Sequence, residues 1–365
     1  ELETLENGKT LPQSASDVDN AVRLCRFFAG AADKFFGDAF PSSVTEHNTK
    51  VFEPRGVVGI ITPWNWPPMH TADFLAPAIA GGNTVVWKPA PETPLSTLRI
   101  AELTADLLPA GVFNVVTGGV EPGVALTAHE GIDKLFFTGN DDTGAQVMKA
   151  AAENITPVAM ELGGKNASVI FPDADLDRAV PGTVSCTFYN NGQSCINTEL
   201  VLVHESVAEE VTDRLAEGVS NLVVGDGRDD GTQVSPLVNE KQVAKFEAAV
   251  EAAVDEGAKV LARADLPEDP ALADGFFVPP TLFGDVTPEM TIAREEVFGP
   301  VTAVIPFADE DEALEIANGV DYGLGCNIWT RDLGRAHRVS SRVDAGIVAI
   351  NDPNGAKVGL PFGGF

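Results

Sequence analysis

One cysteine stands where it could do covalent chemistry. Cys195 follows Asn190, Asn191, Gly192, Gln193 and Ser194 in the stretch NNGQSCINTEL. A cysteine attacks as its thiolate, which a helix N-terminus or a nearby positive charge favours. The residues just before Cys195 are expected to leave backbone N–H groups free. Two further groups supply complementary chemistry. Glu161 opens ELGGKNA, ahead of the flexible pair Gly163-Gly164, and a carboxylate there can serve as a general base. Asn65 lies in TPWNWP between Pro63 and Pro67, a neutral amide donor suited to a developing oxyanion. Taken singly, each has a plain alternative: a core cysteine, a turn-forming asparagine, a surface carboxylate before a turn.

Three more stretches suit a nucleotide. In VVWKPAPETP, Lys88 falls just past an apolar run, where a ribose or phosphate could sit; a single lysine there is equally well solvated. In LFFTGNDDTGAQVMKAAA an apolar run enters Thr138 and Gly139, and a helix is expected from Gly144. Such a turn can present backbone N–H groups to a phosphate, although it lacks the GxGxxG spacing. In EEVFGPV, Glu296 could grip a ribose and Phe298 pack against a ring.

Positioning these groups requires alternating strands and helices. Asp17 to Phe36 reads as an amphipathic helix with Cys25 on its apolar side. Strands are expected at 56–62, 84–88, 113–117 and 135–137, and helices at 71–80, 97–108, 124–128 and 145–152. A second alternation follows Ala159, with strands at 167–171, 200–203 and 301–306 and helices at 206–219 and 240–256. Residues 260–277 read as a Pro- and Asp-rich connector. This pattern belongs to parallel sheets covered by helices. TPWNWP then follows a strand, at the sheet edge where open parallel sheets bind ligands.

Bulk properties narrow the class. The 365 residues are 44% hydrophobic, enough for two domains with real cores. No long apolar run predicts a membrane helix, and ELETLENGKT does not read as a signal peptide. Asp and Glu total 54 against 24 Lys and Arg, a net charge of -30, which repels nucleic acid and anionic membranes. Because the acids are spread along the chain, adaptation to high salt is expected. Cysteines at 25, 186, 195 and 326 form neither a metal-binding spacing nor a disulfide framework, and a cytoplasmic location is expected. Cys186 and Cys326 read as core, Glu295 as a solvated neighbour of Glu296, and Lys165 and Asn166 as structural.

Taken together, TPWNWP, KPAPETP, FFTGN, ELGGKNA, GQSC, EEVFGPV and LPFGGF resemble the aldehyde dehydrogenase superfamily, in that family's order and from about the first residues to Phe365. The resemblance implies an α/β fold with two Rossmann-like parallel-sheet domains: an NAD(P)-binding domain over 1–161, interrupted by an oligomerisation hairpin at about 38–54, and a catalytic domain over 162–365. It implies a non-acylating oxidation of an aldehyde with NAD or NADP, without a metal, in a homodimer or homotetramer. Cys195 would be the nucleophile, Asn65 with the Cys195 N–H the oxyanion hole, and Glu161 the base that activates water. Thr62, Pro63, Trp64, Lys88, Thr138, Gly139, Asn140, Leu162, Glu296 and Phe298 would line the cofactor.

There are departures. Pro91 occupies a position where many NAD-preferring relatives carry a ribose-binding glutamate, which leaves both cofactors open. Asn140 replaces a small residue. Family chains also extend beyond both ends of this sequence, so a truncated, non-catalytic member is the alternative. A thiol hydrolase would need a histidine partner; none of the five histidines falls in these motifs, and His70 reads as a packed helix residue.

Overall fold

The computed structural model describes residues 1–365, which divide into two compact units. One comprises Ala15–Glu161 with Leu2, the other Glu1, Glu3–Ser14 and Leu162–Phe365. The main chain passes from one to the other between Ser14 and Ala15 and again between Glu161 and Leu162.

The first unit opens with most of a helix spanning Leu11–Ala31, earlier than the sequence pattern predicts, and Cys25 is exposed on it rather than buried. An antiparallel hairpin follows, β1 (Asp38–Phe40) with β2 (Asn48–Lys50), exposed throughout. Then come β3 (Val57–Ile61), β4 (Thr84–Lys88), β5 (Phe113–Val115), β6 (Lys134–Thr138) and β7 (Val158–Glu161). All five are parallel, in the order β5-β4-β3-β6-β7. The chain winds outward from β3 to β5, then returns to lay β6 against the other side of β3. That reversal makes β3 and β6 the switch point of the sheet, and doubly wound sheets bind ligands at the carboxyl ends of the strands there. Helices Pro67–Ala80, Leu95–Thr104, Val120–Ala128 and Asp141–Ala152 make the crossovers. Val58, Ile60, Leu75, Ala78, Val85 and Trp87 fill one core, Ile132, Leu135 and Ala151 another.

The second unit holds β8 (Asn166–Ile170), β9 (Thr198–His204), β10 (Lys259–Arg263), β11 (Thr281–Gly284), β12 (Val301–Phe307), β13 (Gly325–Trp329) and β14 (Ile347–Ile350), in the order β10-β11-β12-β9-β8-β13-β14. All pairs are parallel except β10 with β11. The expected connector after residue 259 therefore begins with an edge strand. Its Pro and Asp residues lie beyond it, and Lys259, Val260, Leu261 and Arg263 are exposed, so no apolar alternation marks the strand. In the central strands side chains alternate between faces. Leu200 and Leu202 join one core and Val201 and Val203 the other, as Ile305 and Val304 do on β12. This period of two lets both faces of a buried sheet be apolar. No helix is long and apolar enough to cross a membrane.

Candidate active site

In the first unit the sequence-selected residues gather at one sheet edge. Lys88 ends β4, Thr62 follows β3, Thr138 ends β6 and pairs in register with Glu161, the last residue of β7. Trp87 Nε1 donates to Thr62 Oγ1 at 3.1 Å, and Thr62 N–H reaches the Lys88 carbonyl at 3.3 Å, which ties β3 to β4 at this rim. Pro63, Trp64 and Asn65 follow directly; Asn65 is 2% exposed. Burial lowers the Lys88 amine pKa, and nearby Glu92 partly opposes this. The Thr138 and Thr93 hydroxyls are buried without a hydrogen-bond partner. Buried polar atoms are normally satisfied, and these two are exceptions.

Glu161 is the most perturbed acid here. Its carboxyl is pushed up to about 7, first by burial and then by the negative charge of Asp73, and Oε2 has no hydrogen-bond partner. A carboxylate held near neutrality and not otherwise engaged is matched to general-base work. The helix after Thr138 begins at Asp141, not at Gly144. Asn140 caps it, its side chain accepting from Thr143 N–H at 2.8 Å, and Asp141 and Asp142 occupy the first turn. Asparagine is a preferred N-cap and early acids suit the helix dipole. Pro91 is exposed.

In the second unit Cys195, Glu296 and Phe298 lie just before β9 and β12, at the amino ends of their strands. The stretch before Cys195 is a strained turn. Asn190, Asn191 and Gly192 carry φ of 49°, 60° and 71° in succession. Only glycine and, next best, asparagine take this left-handed conformation readily. Buried side-chain bonds hold it. Asn191 donates to the Pro236 carbonyl at 3.0 Å and accepts from Ser235 N–H; Asn190 donates to the Gln193 carbonyl at 3.0 Å; Gln193 Oε1 accepts from Val238 N–H at 3.0 Å. The expectation of free N–H groups fails at Gln193, whose N–H donates to the Asn190 carbonyl at 2.9 Å, because the turn closes on itself.

Asn166 then fixes the cysteine's own backbone. Its Nδ2 donates to the Cys195 carbonyl at 2.7 Å and to the Asn197 carbonyl at 2.9 Å, while Oδ1 accepts from Gly325 N–H at 2.8 Å. A Cβ at Gly164 would stand 2.6 Å from the Cys195 carbonyl oxygen, so this close approach requires glycine. Gly164 N–H donates to Glu296 Oε1 at 3.0 Å, which brings EEVFGPV against ELGGKNA.

Sequence reasoning missed the group joining these loops. Glu199, 1% exposed on β9, accepts from Lys165 Nζ at 2.5 Å, Val297 N–H at 2.9 Å and Phe298 N–H at 2.8 Å. Gln242 holds the same loop from its other side, donating to the Val297 and Phe298 carbonyls at 3.1 and 2.8 Å. Phe298 is thereby kept at φ 60°. A charged residue inside an otherwise apolar strand was the available signal for Glu199. Lys165 and Asn166, read from the sequence as structural, make the buried bonds just described. Cys326 is 4% exposed and burial pushes its thiol up to about 12; burial also raises Cys186. Both are poor thiolates. Glu295 is exposed. No group of three or more His, Cys, Asp or Glu is arranged to hold a metal.

Comparison with known proteins bears on the whole chain. Betaine aldehyde dehydrogenase of Bacillus subtilis (strain 168) is 39% identical over 368 residues, spanning 100% of this chain and 75% of the relative. Peroxisomal aminoaldehyde dehydrogenase 1 of Pisum sativum is 40% identical over 369 residues, spanning 100% and 73%. The NAD+ complex of an aldehyde dehydrogenase from Bacillus cereus superposes with a TM-score of 0.96 at 40% identity, covering 100% of this chain and 74% of that one. The aldehyde dehydrogenase family profile matches residues 1–365. With that match added to the two parallel-sheet units and the residues they hold, the chain belongs to the aldehyde dehydrogenase family.

Proposed function

We propose that this chain oxidises an aldehyde to the carboxylic acid with NAD+ or NADP+, through a thioester on Cys195, with water as acyl acceptor. The observation that carries the hydrolytic step is Glu161: a carboxyl near 7 with one oxygen unengaged.

In this reading the unit built on β3–β7 binds the cofactor and the unit carrying Cys195 is catalytic. The buried Lys88 amine and the unpartnered Thr138 hydroxyl fit a polyhydroxyl, phosphate-bearing ligand at the switch point beside β3. Thr62, Pro63 and Trp64 wall the same rim, and Gly139 and Asn140 continue it; in the catalytic unit, Leu162, Glu296 and Phe298 are the cofactor contacts of this reading. When bound, NAD(P)+ supplies a hydride acceptor. Pro91 gives neither a carboxylate to bind a ribose nor a charge to repel a 2′-phosphate, so both cofactors suit the site.

The Cys195 thiolate adds to the aldehyde carbonyl, forming a C–S bond and moving an electron pair onto oxygen. Asn65 and the Cys195 N–H donate to that oxyanion; one such donor contributes about 3 kcal/mol to the transition state. Departure of the carbon-bound hydrogen with its electron pair re-forms the carbonyl as a thioester. Glu161 takes a proton from water, the resulting hydroxide adds to the thioester, and the C–S bond breaks to return the thiolate. Held by Asn166, Gly164 and the left-handed turn, the Cys195 backbone needs no reordering between these steps. High-salt adaptation, a cytoplasmic location and a homodimer or homotetramer belong to the same proposal. Wild type and Cys195→Ala, each mixed with an aldehyde panel and NAD+ or NADP+ while absorbance is followed at 340 nm, test it. Signal only from wild type supports the reading; equal signal from both overturns it.

A further inference from the structure

We infer that His70 is a positioning residue that sets the orientation of the Asn65 amide; this rests on the oxyanion role proposed for Asn65. His70 lies on the first turn and a half of helix Pro67–Ala80, five residues beyond Asn65, and is 8% exposed. Its Nε2 is 3.4 Å from Asn65 Oδ1. Its other nitrogen, Nδ1, is buried without a hydrogen-bond partner and stands 3.9 Å from the Asp73 carboxylate, beyond hydrogen-bond reach. The ring is packed at 5.9 Å from the Phe74 ring. A buried imidazole whose one hydrogen bond goes to an amide is well placed to decide which way that amide faces.

An asparagine amide has two nearly isosteric ends, one accepting and one donating. An oxyanion needs the donating end, and an amide turned over would present an oxygen and repel it. With its proton on Nε2, His70 can bond only the Asn65 oxygen, which leaves Nδ2 directed away from the ring. The turn that carries Asn65 supports this: Pro67 and Pro68 start the helix, and the Trp66 carbonyl accepts from His70 N–H at 2.8 Å, so His70 and the TPWNWP loop are locked to one another. His70 does not touch substrate in this account. It acts by keeping one rotamer of Asn65 populated, a positioning role with a kinetic signature.

The test uses His70→Leu, which fills the space without a donor, and His70→Gln, whose amide N–H can replace Nε2–H. His70→Met stands in should the leucine variant not fold. The readout is the single-turnover rate of reduced-cofactor formation, with KM and melting temperature alongside, and a double-mutant cycle with Asn65→Ala. The expected result is an about 10-fold slower burst in His70→Leu at unchanged KM, a fraction of the loss from deleting an oxyanion donor. His70→Gln should recover most of that rate, and Asn65→Ala/His70→Leu should be no slower than Asn65→Ala alone. A wild-type burst in His70→Leu, or equal slowing in His70→Leu and His70→Gln with additive effects in the cycle, overturns the inference. A wild-type burst in Asn65→Ala overturns the oxyanion reading itself.

Discussion

At the scale of single residues, Glu161 makes the sharpest predictions. As a base it must be ionised, so turnover should rise with pH through a value near 7, the value to which burial and Asp73 move it. Glu161→Gln should keep a burst of reduced cofactor and lose steady turnover; unchanged turnover would remove the role. The same shift has a stability consequence. A carboxyl whose folded pKa is raised from 4.5 to about 7 favours the folded state below 4.5, and that contribution is lost as pH rises through 7. Glu161→Gln should therefore melt above wild type at pH 8, and the gap should shrink toward pH 5; a gap independent of pH contradicts the assignment. Cys195, Asn65 and Glu161 stand out in the sequence as candidates because each lies in a short stretch with its own turn residues. Glu199 was not, because its partners Val297 and Phe298 come from a distant loop. Cys25 read as core from its apolar neighbours, yet the helix leaves it exposed.

At the scale of elements, the loops around Cys195 are held by buried polar groups. Glu199 and Lys165, 1% and 3% exposed, form a pair whose carboxylate also receives two backbone N–H groups. Removing one partner leaves an uncompensated buried charge, so Lys165→Met should cost about 3–5 kcal/mol in denaturant unfolding. A change under about 1 kcal/mol would show the pair is not buried as described. Gly164→Ala should be inactive, since its Cβ would stand 2.6 Å from the Cys195 carbonyl and 2.7 Å from Asn166 Oδ1; retained activity would mean the two loops are not in contact. Strand and helix order in the first unit followed from β-branched runs and punctuation, and β4 falls where its sequence pattern puts it. Helix starts were less legible. Asn140 caps a helix from Asp141 that the sequence pattern starts at Gly144, because a cap is a local hydrogen bond rather than a periodic pattern. The left-handed run Asn190–Gly192 reads in sequence only as small and polar.

For the whole molecule, a net charge of -30 over 365 residues makes folding a problem of self-repulsion at low ionic strength. Melting temperature should rise between dilute buffer and molar KCl as counter-ions screen the surface; a flat or falling curve contradicts salt adaptation. The two-unit α/β plan was legible in the alternation of strands and helices, and the family in seven short stretches in order. Sheet order was not, since the reversal that places β6 beside β3 is a tertiary event. Covalent aldehyde oxidation at Cys195 is the proposal on which the other roles depend. Its most direct test is rapid mixing of the intact chain with excess aldehyde and NAD+ or NADP+ in molar KCl, with absorbance at 340 nm followed for wild type and Cys195→Ala. The expected result is reduced cofactor from wild type and none from Cys195→Ala. Reduced cofactor formed at the same rate by Cys195→Ala would contradict it.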